Sequence, residues 1–162
     1  MPHRSFTVEE ANALIPRLDG VLEEIADART VVERCQAGIR LLKTLWGKDV
    51  EDTQNPDFEE YDTHCRALEE SAQLIERLIN EEIQDRGLRF PQGGLQYGLV
   101  DFPTTYHGRW VYLCWRKGEP QIMYWHEIDA GYGGRTPLSP GHAAAMGRHD
   151  DPALEDDSML DF

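Results

Sequence analysis

From Ala11 onward the apolar residues fall at Ala11, Leu14, Leu18, Val21, Ile25, Ala28, Val32, Cys35, Ile39, Leu42 and Trp46, in alternating steps of three and four. A mean step of about 3.5 is the seam of a coiled-coil helix. Thr7-Val8-Glu9-Glu10 opens it as a capping box, in which the Thr7 hydroxyl accepts from the Glu10 amide and the Glu10 carboxylate reaches back. Pro16 removes a backbone donor two turns in and predicts a bend there, and Gly47 predicts the end. Asn55-Pro56-Asp57 supplies an N-cap, a first-turn proline and an early acid for a second helix, whose seam reads Phe58, Tyr61, Cys65, Leu68, Ala72, Ile75 and Ile79. Gly87 is suited to close it. A short loop between two such helices forces them antiparallel, so residues 7–87 read as a coiled-coil hairpin.

After Pro91-Gln92-Gly93-Gly94 the period changes to short β-rich runs at Gln96–Phe102, Arg109–Arg116 and Gln121–Glu127, an antiparallel three-stranded meander. With Lys117-Gly118-Glu119-Pro120 as a tight turn, Arg116 faces Gln121. Alternation then places Val111, Leu113, Trp115, Ile122, Tyr124 and His126 on one face, and Trp110, Tyr112, Cys114, Met123, Trp125 and Glu127 on the other. Both faces are apolar enough to need cover. Residues 128–147 follow as a Gly-rich loop and a short helix capped at Ser139-Pro140. The fold class expected is α+β, a long two-helix hairpin packed with a small sheet, residues 1–147 forming one domain and residues 148–162 an acidic tail that stays in solvent.

Charge changes the picture. The 162 residues carry 16 basic and 30 acidic groups, and residues 48–90 with the tail hold nearly all of the excess, while residues 91–147 are neutral. Nucleic acid is an unsuitable partner for such a chain, because phosphate contacts need lysine and arginine. No apolar run approaches the roughly 20 residues of a membrane span, and the amino terminus lacks a signal-peptide layout. Three cysteines without a close pair suit a reducing compartment, so a cytoplasmic location is expected. Cys35 and Cys65 sit in the helical seams as packing residues.

Phe6-Thr7-Val8-Glu9-Glu10-Ala11-Asn12-Ala13-Leu14-Ile15-Pro16, Gly98-Leu99-Val100-Asp101-Phe102-Pro103, Leu113-Cys114-Trp115-Arg116 and Trp125-His126-Glu127-Ile128-Asp129-Ala130-Gly131-Tyr132 together resemble the bacterial domain-of-unknown-function family 2203, over about residues 5 to 138. The resemblance implies no particular activity, substrate or catalytic residue.

Two functions remain open on the residues themselves. The first is a binding or assembly module, a homodimer that presents its aromatic sheet region to a protein partner or a small anionic ligand, with Arg109, Trp125, Tyr132 and Arg135 as binding residues. The second is a hydrolase-like, metal-dependent enzyme, in which Asp101, His126 and Asp129 hold a divalent metal and Glu127 is the general base on a bound water. Cys114 is a nucleophile type, yet the pairing above puts it on the face opposite His126.

Overall fold

A computed structural model describes residues 3–160; the last two residues of the acidic tail, Asp161 and Phe162, lie outside the described residues. Helix α1 runs Val8–Trp46, α2 runs Phe58–Leu78, and a π-helical segment follows at Ile79–Gln84. A single helical turn α3, Gly94–Tyr97, leads into strands β1 (Leu99–Tyr106), β2 (Arg109–Arg116) and β3 (Tyr124–Glu127). A two-residue strand β4, Thr136–Pro137, and helix α4, Pro140–Ala145, complete the α+β architecture. The sheet therefore has four antiparallel strands in the order β1-β2-β3-β4, one more than the meander expected. None of the described helices is long and apolar enough to cross a membrane.

The capping box forms: the Glu10 amide donates to Thr7 Oγ1 at 3.1 Å, and the Thr7 amide to Glu10 Oε1 at 3.4 Å. Helix α1 continues unbroken through Pro16. At the second helix the start shifts by two residues. Asn55 Oδ1 accepts from the Asp57 amide at 2.9 Å, a local turn that holds Asn55-Pro56 outside the helix.

The chain divides into two compact units. One joins the chain up to Leu22 with the chain from Glu81 onward; the other is Glu23–Asn80. The first has a continuous core, in which Phe6, Ala11, Leu18 and Leu22 meet Val100, Phe102, Val111, Leu113, Trp115 and Trp125 from one face of the sheet. Phe6 and Phe102 meet edge to face with centroids 5.6 Å apart. Gly147 closes against this core with φ +76, and a Cβ there would lie 2.6 Å from the Phe6 carbonyl oxygen. The second unit is the helical hairpin, held close at Gly38, where a Cβ would lie 2.5 Å from His64 Nε2.

The strand register differs from the expected one by one residue. Cys114 pairs with Tyr124 and Tyr112 with His126, because β3 begins at Tyr124 and the seven residues Lys117–Met123 stay outside the ladder. Glu119 holds this wider connection: its carboxylate accepts from the Arg116 amide, and its carbonyl from Trp115 Nε1 at 2.9 Å. Asn12 Oδ1 takes up the free Ile122 amide at 2.7 Å. With side chains alternating, a slip of one residue moves every β3 side chain to the other face. His126 accordingly joins Tyr112 and Cys114, and Trp125 joins the core.

The tail also departs from expectation. Pro152–Glu155 forms a 3-10 turn in which Ala153 is buried, and Trp110 Nε1 donates to the carbonyls of Ala153 and Asp156, both at 2.8 Å. An acidic segment that would not fold alone is ordered because a buried indole N–H needs an acceptor.

Candidate metal centre

The second face of the sheet carries the polar cluster. Asp101 on β1 lies opposite Cys114 on β2, and His126 on β3 lies one step along, opposite Tyr112. Arg89 forms an isolated bridge to Asp101 from the outer side of β1, exchanging backbone bonds at 3.1 and 2.9 Å. The bridge at Arg89 and neighbouring positions on three strands thus bring one cation, one acid, one thiol and one imidazole to the same side. Asp101 and Cys114 are fully buried, and His126 is 1% exposed.

The acid is shared. Arg89 Nε donates to Asp101 Oδ2 at 3.2 Å, while Asp101 Oδ1 lies 3.1 Å from His126 Nε2. His126 Nδ1 lies 2.7 Å from the Glu127 carbonyl oxygen, which can only accept, so Nδ1 carries a proton. The contact at Nε2 then needs a proton of its own. Burial works against a charged imidazole, but the hydrogen bond and charge of Asp101 outweigh it and hold His126 above its ordinary value. Burial, followed by the charge of Asp101, pushes the Cys114 thiol up to about 12. Without a metal, Cys114 is a neutral thiol closed off from solvent, which is unsuited to attack on a substrate. The Arg89 guanidinium also stacks 3.9 Å over the Tyr112 ring, whose centroid is 5.5 Å from that of His126.

Donor atoms of Asp101, Cys114 and His126 all lie within 4.8 Å of one another. Of the residues expected to bind metal, Asp101 and His126 are brought together, while Asp129 is exposed in the turn after β3. Glu127 faces away from His126 and is held by Arg109 through two bonds, Nη2–Oε1 at 2.7 Å and Nε–Oε2 at 3.1 Å. That pairing keeps the Glu127 carboxyl below its ordinary value.

Of the residues expected to bind a ligand, Arg135 and Tyr132 are brought together, and Arg109 is taken up by Glu127. Trp125 packs in the core against Tyr106 and His142. Arg135 lies between Tyr124 and Tyr132, 4.0 and 5.1 Å from their ring centroids, and its Nη2 donates to both Glu119 carboxylate oxygens and to the Cys114 carbonyl. A cleft of about 440 Å³ lies elsewhere, lined by His107, Gly108, Ala145, Arg148 and Asp150–Pro152, and none of the residues expected at a site lines it.

Cys114 and Arg89 are the members that sequence reasoning missed. For Cys114 the signal was present in the Leu113-Cys114-Trp115 run, and a one-residue change of register would have found it. For Arg89 there was none, since a lone bridge outside any strand pattern leaves no period to read.

Comparison with curated proteins and with solved structures finds no match. The family model described as "Uncharacterized conserved protein (DUF2203)" matches residues 4–138, a span that contains Arg89, Asp101, Cys114 and His126 and stops short of the turn at Pro152–Glu155. With more than four-fifths of its length inside that match, the chain belongs to the DUF2203 family.

Proposed function

We propose that the protein binds a thiophilic divalent metal ion, of the zinc type, through Asp101 Oδ1, Cys114 Sγ and His126 Nε2. The observation that carries the reading is their convergence within 4.8 Å inside a buried face. Carboxylate, thiolate and imidazole together form a donor set suited to zinc. Its supporting contacts also suit a metal site. Ligating histidines usually anchor their second nitrogen on a carbonyl and ligating carboxylates their second oxygen on a donor, and here the Glu127 carbonyl and Arg89 fill those places.

Charge favours the same reading. In the metal-free cluster the hydrogen bond to Asp101 favours a protonated His126, and burial keeps Cys114 a neutral thiol. A divalent ion would replace the Nε2 proton and the thiol proton, leaving the net charge of the buried cluster unchanged. At ordinary bond lengths a tetrahedral zinc sets its donors about 3.3–3.8 Å apart, so donors that lie within 4.8 Å of one another have to close by about 1.5 Å at most. All three donors are closed to solvent, which favours a retained ion over one that turns over substrate. Hydrolysis with Glu127 as base is weakened further, since that carboxylate lies on the opposite face in a bidentate pair with Arg109.

Cobalt(II) added to the metal-stripped protein tests this. The expected result is one equivalent bound with a near-ultraviolet thiolate charge-transfer band, lost in Cys114→Ser and weakened in His126→Gln. Absence of the band in the wild-type protein, or its persistence in Cys114→Ser, would sink the assignment.

A further inference from the structure

Within the Glu23–Asn80 unit the two helices cover each other only in part. At 100° per residue the apolar positions of α2 spread over roughly 200° of its circumference, whereas one neighbouring helix covers a stripe of about 100°. The consequence shows in burial: of the α2 residues only Leu78 is buried, and Tyr61, Leu68 and Ile75 remain partly exposed. On α1 the deficit is plainer. Leu41 and Leu45, one turn apart on the same side, are 61% and 65% exposed.

Around the exposed leucines the charges differ between the helices, although α1 over residues 23–46 carries four basic and four acidic groups in all. Residues 29–46 carry four basic groups and one acid, and residues 57–76 carry seven acids and one basic group. Arg29, Arg34 and Arg40 on α1 make no ion pair among the described residues, and neither do Glu59, Glu70 and Glu76 on α2. An occupant for the leucine stripe must therefore offer an acidic helical surface with apolar margins. The same chain carries one, on α2.

The geometry points to a second copy of this chain as that occupant, docked so that α1 of each hairpin packs on α2 of the other about a two-fold axis. Two-fold symmetry makes the contact twice and closes both seams into a four-helix bundle. Pairing α1 with α1, or α2 with α2, would set cations on cations or acids on acids. The inference is independent of the metal reading, since none of its residues belongs to that cluster.

Sedimentation equilibrium on the full-length, metal-free protein tests it. The wild-type chain of 18.6 kDa is expected to sediment at about twice its mass at micromolar concentration. Leu41→Glu/Leu45→Glu, which alters only exposed positions, is expected to give a folded monomer. Arg34→Glu/Arg40→Glu should raise the dimer dissociation constant at least about tenfold, and adding Glu70→Arg/Glu76→Arg to it should restore association. A wild-type monomer at about 100 µM, a dimer unaffected by the leucine pair, or failure of the charge swap to restore association would each overturn the proposal.

Discussion

The two units of this chain solve burial in opposite ways. The sheet unit covers both faces of its sheet, one with the amino-terminal turns of α1 and Phe6, and the other with Arg89 and the turn at Pro152–Glu155. It does so completely enough to enclose an acid, an imidazole and a thiol. The hairpin unit has no buried charge and leaves leucines in solvent. A closed interior raises the strength of each polar contact and the cost of each one left unmade, whereas an open seam leaves room for association. On the two proposals above, chemistry falls to the sheet unit and assembly to the hairpin.

The largest effect expected of a single substitution is at Asp101. Asp101→Ala leaves Arg89 and His126 without their shared carboxylate, and denaturant unfolding of the metal-free protein should show a loss of about 3–5 kcal/mol. Leu18→Ala, at a fully buried position where α1 meets the sheet, should cost about 2–5 kcal/mol by the same measurement. Next comes the hairpin. Gly38→Ala drives a methyl group into the His64 ring and should cost about 1–2 kcal/mol, and Gly38→Ala/His64→Ala should recover most of it, a coupling that a double-mutant cycle reads directly.

Glu82 gives the sheet unit a pH signature. Arg17 holds its carboxyl down to about 2, burial opposes the shift, and Arg86 adds to it. A depressed carboxylate contributes its stability above the ordinary value near 4.5 and loses it as the pH falls toward 2. Glu82→Gln should therefore cost about 1–2 kcal/mol at pH 7, a deficit that shrinks steadily across that acid range in parallel melts. The smallest effect is Leu41→Ala, under about 0.5 kcal/mol in dilute monomer, against the much larger loss at Leu18 on the same helix.

The helices were legible because their signals are local. Steps of three and four from Ala11 to Trp46, a capping box at Thr7 and a glycine at position 47 fix α1 within a residue of its observed bounds. Three of the sheet's four strands were legible in outline, the first displaced from 96–102 to 99–106 and the third starting at Tyr124 rather than Gln121, and their faces were not. Its register turns on Glu119, whose carboxylate caps the Arg116 amide and whose carbonyl holds Trp115, and no alternation pattern reports such a connection. That single residue of register decides whether His126 meets Cys114. Docking of the tail was hidden for a related reason: the composition of Asp150–Asp157 speaks for solvent, while the Trp110 indole, the Gly108 amide and His3 all find their acceptors there. The aromatic surface expected for a partner is instead spent on the chain's own interior, with Trp110, Tyr112, Trp115 and Trp125 all buried.

Asp101, Cys114 and His126 are proposed to form one metal-binding set on one face of the sheet. Metal content after extensive dialysis, measured together with the melting temperature in zinc and in chelator, tests it most directly. About one zinc per wild-type chain and a melting temperature that rises with zinc are expected, both abolished in Cys114→Ser. Equal metal content and equal melting for the wild-type and Cys114→Ser proteins would contradict it.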